Sequence, residues 1–318
     1  MATARRRDVR AHLPVAAVLV ATLCYGSTFV IVQDALHRVT PMGFILLRFG
    51  IGALVLAPVA LFVGWRAAPI PGPVTADRSG RGFVVAVLVM SVVLFAGYGF
   101  QNAGLQHTSS SNSAFITGLF VVFTPLVETV WYRRAPSPRV LCAVVLVAIG
   151  LFLLTGSQVS MGRGDALTLA CAACFAIWTV QTAVHAPRFH PIAITAAQLG
   201  MLAVLSIPWV VVQGIGRVDG GVWAAAALTG VGCSALAFSL QTWAQRRIDP
   251  SRTAILLTLE PVTAGVVGWF VGERLGVRGY VGAAVILAGV VVVELGTRGA
   301  REWRSSRVEA SAGATGAS

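Results

Sequence analysis

"TSSSNSAFITGLFVVFTPLVE", residues 108–128, passes from a cluster of hydroxyl and amide side chains into an apolar run holding one proline and closed by a glutamate. "IDPSRTAILLTLEPVTAGVVGWFVGERLG", residues 248–276, repeats the plan: polar start, small residue, apolar run, proline, charged end. Runs of about 18 or more apolar residues recur along the chain, and each reads as a membrane-spanning helix. Lipid offers the backbone no hydrogen-bond partner, so a spanning segment must satisfy its own. Composition agrees. Of 318 residues 56% are hydrophobic and 11% charged, against about 25% charged in soluble domains.

The expected fold is an all-α integral membrane protein of ten transmembrane helices. They lie near 13–33, 42–63, 83–105, 113–132, 138–155, 164–185, 191–212, 221–244, 253–271 and 277–296. The connections are short and leave no room for a soluble catalytic domain. Residues 1–12 read as a cytoplasmic arm, and 297–318, arginine-rich and then Ala/Gly/Ser-rich, as a disordered cytoplasmic tail. A cleavable signal peptide is the competing reading of "RRRDVRAHLPVAAVLVATLCYGS". The apolar run continues through Val32 without a small-x-small cleavage site, which favours a retained first helix.

The net charge of +12 comes from 24 arginines and no lysine. With the N-terminus inside, eighteen arginines fall in cytoplasmic segments. Five fall outside, namely Arg38, Arg163, Arg217, Arg274 and Arg278, and Arg48 lies within a span. That bias orients the chain with both termini in the cytoplasm, in a bacterial cytoplasmic membrane, and calls for no nucleic acid. The cysteines sit in apolar segments. The Cys171–Cys174 CxxC has no second Cys or His pair at ligand spacing, so no metal or other cofactor is expected.

Shifted by 140 residues, the chain overlays itself: Gln101 on Gln241, Ser111 on Ser251, Ala114 on Ala254 and Leu119 on Leu259. Tyr98 meets Phe238, Asn102 meets Thr242, and Ser113 meets Thr253. The chain therefore divides into two five-helix repeats, 13–156 and 163–296. An odd number of crossings inverts the second copy relative to the first. The polar turn "HTSSSNS" then lies outside and "RRIDPSRT" inside.

"YGSTFV", "LLRF", "TSSSNSAFITGLFVVFTPL" and "SRTAILLTLEPV...GERL...GAAVILAGV" together resemble the EamA-type drug/metabolite transporter family of ten-helix exporters, over about residues 13–296. The resemblance implies two inverted five-helix repeats around a central cavity. It also implies efflux of small metabolites, such as amino acids or related amphipathic compounds, by alternating access.

Helical spacing groups the polar residues that could meet a substrate. Tyr98, Gln101, Asn102 and Leu105 share one stripe, and Phe238, Gln241, Thr242 and Gln245 share another. They read as mirror gates of one pathway or as amides that bridge helices. Trp178, Gln181, Thr182 and His185 repeat the spacing, and Tyr25 and Thr28 answer from the first span; an aromatic ring beside amides suits an amphipathic ligand. Trp209 and Trp223, near span ends, fit an interfacial aromatic belt.

Glu260 stands well inside the ninth span, where a carboxylate is expensive and must face the bundle interior or a wet cavity. With Pro261 kinking the helix beside it, Glu260 is either a proton-coupling group or a structural carboxyl. Arg48 either snorkels outwards, pairs with Asp34, or clamps a substrate anion. Glu128 and Glu294 read as interfacial acids beside arginines, and Glu273 with Arg274 as a structural pair. The other function classes are an integral-membrane enzyme, disfavoured by five scattered histidines, and a channel-like protein, for which no charged ring or pore loop stands out. Without lysine the chain has no P-loop.

Overall fold

The computed structural model describes residues 2–27, 29–64, 79–108, 110–133, 135–156, 162–270 and 276–295. Their backbone groups are satisfied within helices, as hydrocarbon demands. In chain order these are α1 (Ala2–Ser27), α2 (Phe29–Leu36), α3 (Pro41–Val63), α4 (Gly80–Leu105), α5 (Ser110–Gly118), α6 (Phe120–Tyr132) and α7 (Pro138–Thr155). Then follow α8 (Arg163–His185), α9 (Pro191–Gln213), α10 (Gly220–Leu228), α11 (Phe238–Gln245), α12 (Pro250–Leu257) and α13 (Glu260–Phe270), and α14 (Val277–Leu295). A π-helical segment, Thr229–Ala237, joins α10 to α11. No strand occurs among the described residues.

Local chemistry places the helix starts. Pro41, Pro138, Pro191 and Pro250 open α3, α7, α9 and α12, where the missing N–H has no helical partner to lose. Thr40, Ser79, Ser137 and Asp219 cap α3, α4, α7 and α10 by accepting from the backbone N–H of Gly43, Gly82, Val140 and Val222. Such caps each stabilise a helix by about 1 kcal/mol.

Eight of the described stretches are long and apolar enough to cross a membrane, and His12–Ser27 is a shorter apolar helix. They match eight of the ten expected spans. The other two differ. The first is divided between α1 and α2 at Thr28, which lies outside the described residues, and α1 reaches back to Ala2 through the expected arm. The ninth is broken into α12 and α13. The disordered tail expected at 297–318 and the Glu273–Arg274 pair also lie outside the described residues.

Side chains face two solvents. Phe62 is 92% exposed and Val212 84%, a placement that suits lipid contact and not water. Inside, α3 runs along α9 and α4 along α8, while α1 packs on the π segment, α11 and α13. One apolar core gathers Phe49, Met90, Leu94, Ile194 and Leu202. A second gathers Val18, Val147, Leu151, Ile255 and Ile286. α7 and α14 touch backbone to backbone at Gly150 and Gly282, where a Cβ on Gly282 would lie 2.4 Å from the Leu154 nitrogen. Only glycine permits that approach.

Polar ties close both ends of the bundle. At one end Arg38 donates to Asp219 at 3.0 and 3.1 Å and also pairs with Asp34. The Val222 backbone N–H, and then Arg38, hold the Asp219 carboxyl below its ordinary value. At the other end Arg252 grips Glu294 with two bonds of 2.7 and 2.5 Å, and Glu128 accepts from both the Ser251 backbone N–H and its hydroxyl.

Candidate functional site

α12 ends where Thr258 leaves helical geometry (φ −68°, ψ −4°). There the Leu259 N–H turns back to Leu256 O at 3.2 Å, and the Thr258 hydroxyl donates to Ile255 O at 2.5 Å. Pro261 has no N–H, so the Leu257 carbonyl lacks its usual donor one turn on. α13 restarts at Glu260. Its carboxylate is half-buried and has no hydrogen-bond or ion-pair partner among the described residues. α1 lies directly against this restart because position 26 is glycine: a Cβ there would stand 2.6 Å from the Glu260 carbonyl oxygen.

Arg48, on α3, is the cation whose charge reaches Glu260. Its Nε donates to Ser234 Oγ at 3.0 Å, and its guanidinium lies 5.3 Å from the Phe49 ring. Ser234 belongs to the π segment, whose widened turn shifts side chains off α-helical register. Asp34 is taken by Arg38, so Arg48 does not pair with it; nor does it snorkel outwards, since its partner is on a neighbouring span.

Around this charged pair stands a ring of aromatic side chains centred on Phe238. Tyr25 packs edge-on at 5.7 Å, Trp178 at 5.4 Å and Phe49 at 6.1 Å. Tyr98 continues the ring, 5.5 Å from Phe49 and 5.5 Å from Phe175. A hydrogen-bonded chain leads away from it. Tyr25 Oη donates to Gln241 Oε1 at 3.1 Å, Gln241 Nε2 donates to Gln245 Oε1 at 3.5 Å, and Gln245 Nε2 donates to Thr179 O at 2.9 Å.

The structure thus brings Tyr25, Arg48, Tyr98, Trp178, Gln241 and Glu260 to one region. It places the rest elsewhere. Gln101 donates to Thr117 on α5 at 3.4 Å. Thr242 accepts from Thr195 of α9 at 3.2 Å. Gln241, Thr242 and Gln245 share a helix face in the sequence, yet each meets a different neighbour. Asn102 Nδ2, Trp178 Nε1 and Gln181 Oε1 are buried with no protein partner, which leaves three polar atoms on the α4 and α8 side able to bond a ligand or water. Trp178 is buried against Phe238 and anchors no interface; Trp209 and Trp223 are the half-exposed ones. Glu128, expected beside an arginine, instead caps the start of α12, because the N-terminal N–H groups and dipole of a helix attract a carboxylate.

Sequence reasoning missed Phe49, Phe175, Ser234 and Thr179. Phe175 stands three residues before Trp178 and so shares its face. For Ser234 no sequence signal exists, since it takes the π register to aim it at Arg48. Among the described residues no group of three or more His, Cys, Asp or Glu side chains is placed to hold a metal ion.

The sequence model of the EamA-like transporter family matches this chain twice, over residues 12–156 and 162–295. An uncharacterized transporter of Archaeoglobus fulgidus is 29% identical over 275 residues, covering 86% of this chain and 83% of that protein. The uncharacterized transporter YyaM of Bacillus subtilis is 22% identical, covering 84% of this chain and 88% of its own length. A solved crystal structure, 18% identical, superposes with a TM-score of 0.74 over 90% of this chain and 98% of that one. At that identity the superposition speaks for the fold alone.

Proposed function

Because this chain belongs to the EamA-like transporter family, we propose that it is a secondary transporter that exports small amphipathic metabolites, amino acids or related compounds, by alternating access. Its two halves act as inverted five-helix repeats. In support, the fourth span breaks at Leu119 and the ninth at Thr258–Leu259, within one residue of each other on the 140-residue overlay. The observation that carries the reading is Glu260, an acid without a partner at a helix break, set between Arg48 and an aromatic ring.

The chemistry follows from that setting. Arg48, already oriented by Ser234, can hold a substrate anion, and the rings of Tyr25, Phe238 and Trp178 can hold its apolar body. Glu260 can take up the balancing proton, since a carboxylate at such depth is costly to leave charged and unpaired. The Tyr25–Gln241–Gln245 chain closes the path from this chamber towards the arginine-rich end. Exchange of bonds along it would open that end while its counterpart at the other end closes.

Counterflow in proteoliposomes against a panel of amino acids and cationic drugs tests the transport reading; no uptake of any by folded protein would defeat it. Glu260→Gln tests the coupling. Accumulation driven by an imposed pH gradient should fail while substrate exchange survives, because exchange moves no net proton. Unchanged pH-driven accumulation would remove Glu260 from the mechanism.

A further inference from the structure

Where the turn after α6 meets the turn after α11, a cavity of about 1060 Å³ opens at the arginine-rich end of the bundle. It is separate from the aromatic chamber, and of the chain leading out of that chamber only Gln245 borders it. Four guanidinium groups, those of Arg139, Arg246, Arg247 and Arg252, line it, against the carboxylates of Glu128 and Asp249. They come from three places in the chain: the first turn of α7, the turn after α11, and α12. Glu128 is engaged on Ser251, so one of the two carboxylates is already bonded, and Arg252 is held by Glu294. α7 and α12 both begin in the cavity wall, and their positive dipole ends add to the field. His190 registers that field. Burial, and after it the charge of Arg246, push its imidazole below the ordinary value.

We infer that this cavity is a binding site for a phosphate-bearing anion. Arginine forks and helix N-termini are the groups that recognise phosphate, and the surplus of cations would otherwise be an enclosed repulsion. The rest of the wall is apolar, with Pro125, Val140, Ile248 and Val293, so the site suits a head group that carries an apolar extension. An anionic phospholipid head group and a soluble phosphate share the recognising chemistry. The site is argued from its own wall and does not depend on what the central chamber transports.

The test is binding, not transport. Purified protein in neutral detergent is titrated with short-chain phosphatidylglycerol, short-chain phosphatidylcholine and inorganic phosphate, with the melting temperature as readout. A saturable rise with phosphatidylglycerol alone assigns a lipid head group; a rise with inorganic phosphate as well assigns a soluble anion. Either should weaken at high salt. The Arg246→Gln/Arg247→Gln variant should bind about tenfold more weakly or worse, the scale of losing charge-assisted hydrogen bonds. If that variant does not fold, Arg139→Gln, at the exposed rim, decides in its place. Equal response to phosphatidylcholine, no response to either anion, or an unaltered response in the folded variant would overturn the assignment.

Discussion

The two broken spans, α5–α6 and α12–α13, differ in what stands at the break. In the first, the Leu119 N–H is shared between Phe115 O and Ile116 O at 3.2 and 3.1 Å, and Phe120 opens the next helix. No proline adjoins it; Pro125 comes five residues later. In the second, Pro261 adjoins the break and Glu260 opens the next helix. The break therefore forms with or without a proline. It belongs to the architecture, and Pro261 accommodates it. What the second copy adds is a carboxylate, and with it Arg48 as a charge partner across the bundle. A fold of near-repeats has become chemically one-sided.

Giving the first break the same carboxylate should produce the largest effect. Phe120→Glu should lower stability by about 3 kcal/mol, the scale of an acid at mid-membrane depth without a partner. Thermal melting in detergent checks it, and a wild-type melting temperature would mean that position 120 is as wet as position 260.

The glutamines one turn further along the overlay should separate next. Gln241→Leu removes bonds to Tyr25 and Gln245, whereas Gln101→Leu removes one to Thr117. At about 0.6 kcal/mol per bond within a membrane, that is roughly an eightfold change in transport rate against roughly threefold. Equal rates for both variants and the wild type would make the two amides helix glue alone.

Pro261→Ala should change little, under about 1 kcal/mol, because the first break forms without a proline. A loss of several times that, read by the same melts, would return the break to proline. The smallest effect lies far from both breaks. Asp219 has a depressed carboxyl pKa in the fold, so the unfolded chain binds its proton first as pH falls. The stability it contributes is present above the ordinary carboxylate pKa of 3.8 and is lost as pH drops through the lower folded value. Asp219→Asn should flatten the acid limb of the melting curve below about pH 4 and leave the neutral-pH comparison of the two breaks unaltered.

Much of this protein was legible along the chain because the bilayer reads sequence one segment at a time. An apolar run long enough to cross must be helical, whatever its neighbours, and eight of the ten expected spans stand on that argument. Pro41, Pro138, Pro191 and Pro250 mark starts by local geometry alone. The family was legible for a related reason: its motifs sit at the ends and breaks of spans, where small and polar residues are few.

Which polar side chains meet was decided only by the tertiary structure. Spacing puts Gln241, Thr242 and Gln245 on one helix face, but α11 sits between α1, α8 and α9, so that face divides among three partners. Asp34 was within the sequence reach of Arg48, yet Arg38, one turn away on the chain, takes it, and Arg48 finds Ser234 through a π register that no periodicity announces. Glu128 turns from an interfacial acid into the cap of α12. Lipid fixes how far a helix extends and leaves its rotation about its own axis open; that rotation is set by packing against other helices, and it chooses the partner of every buried polar group.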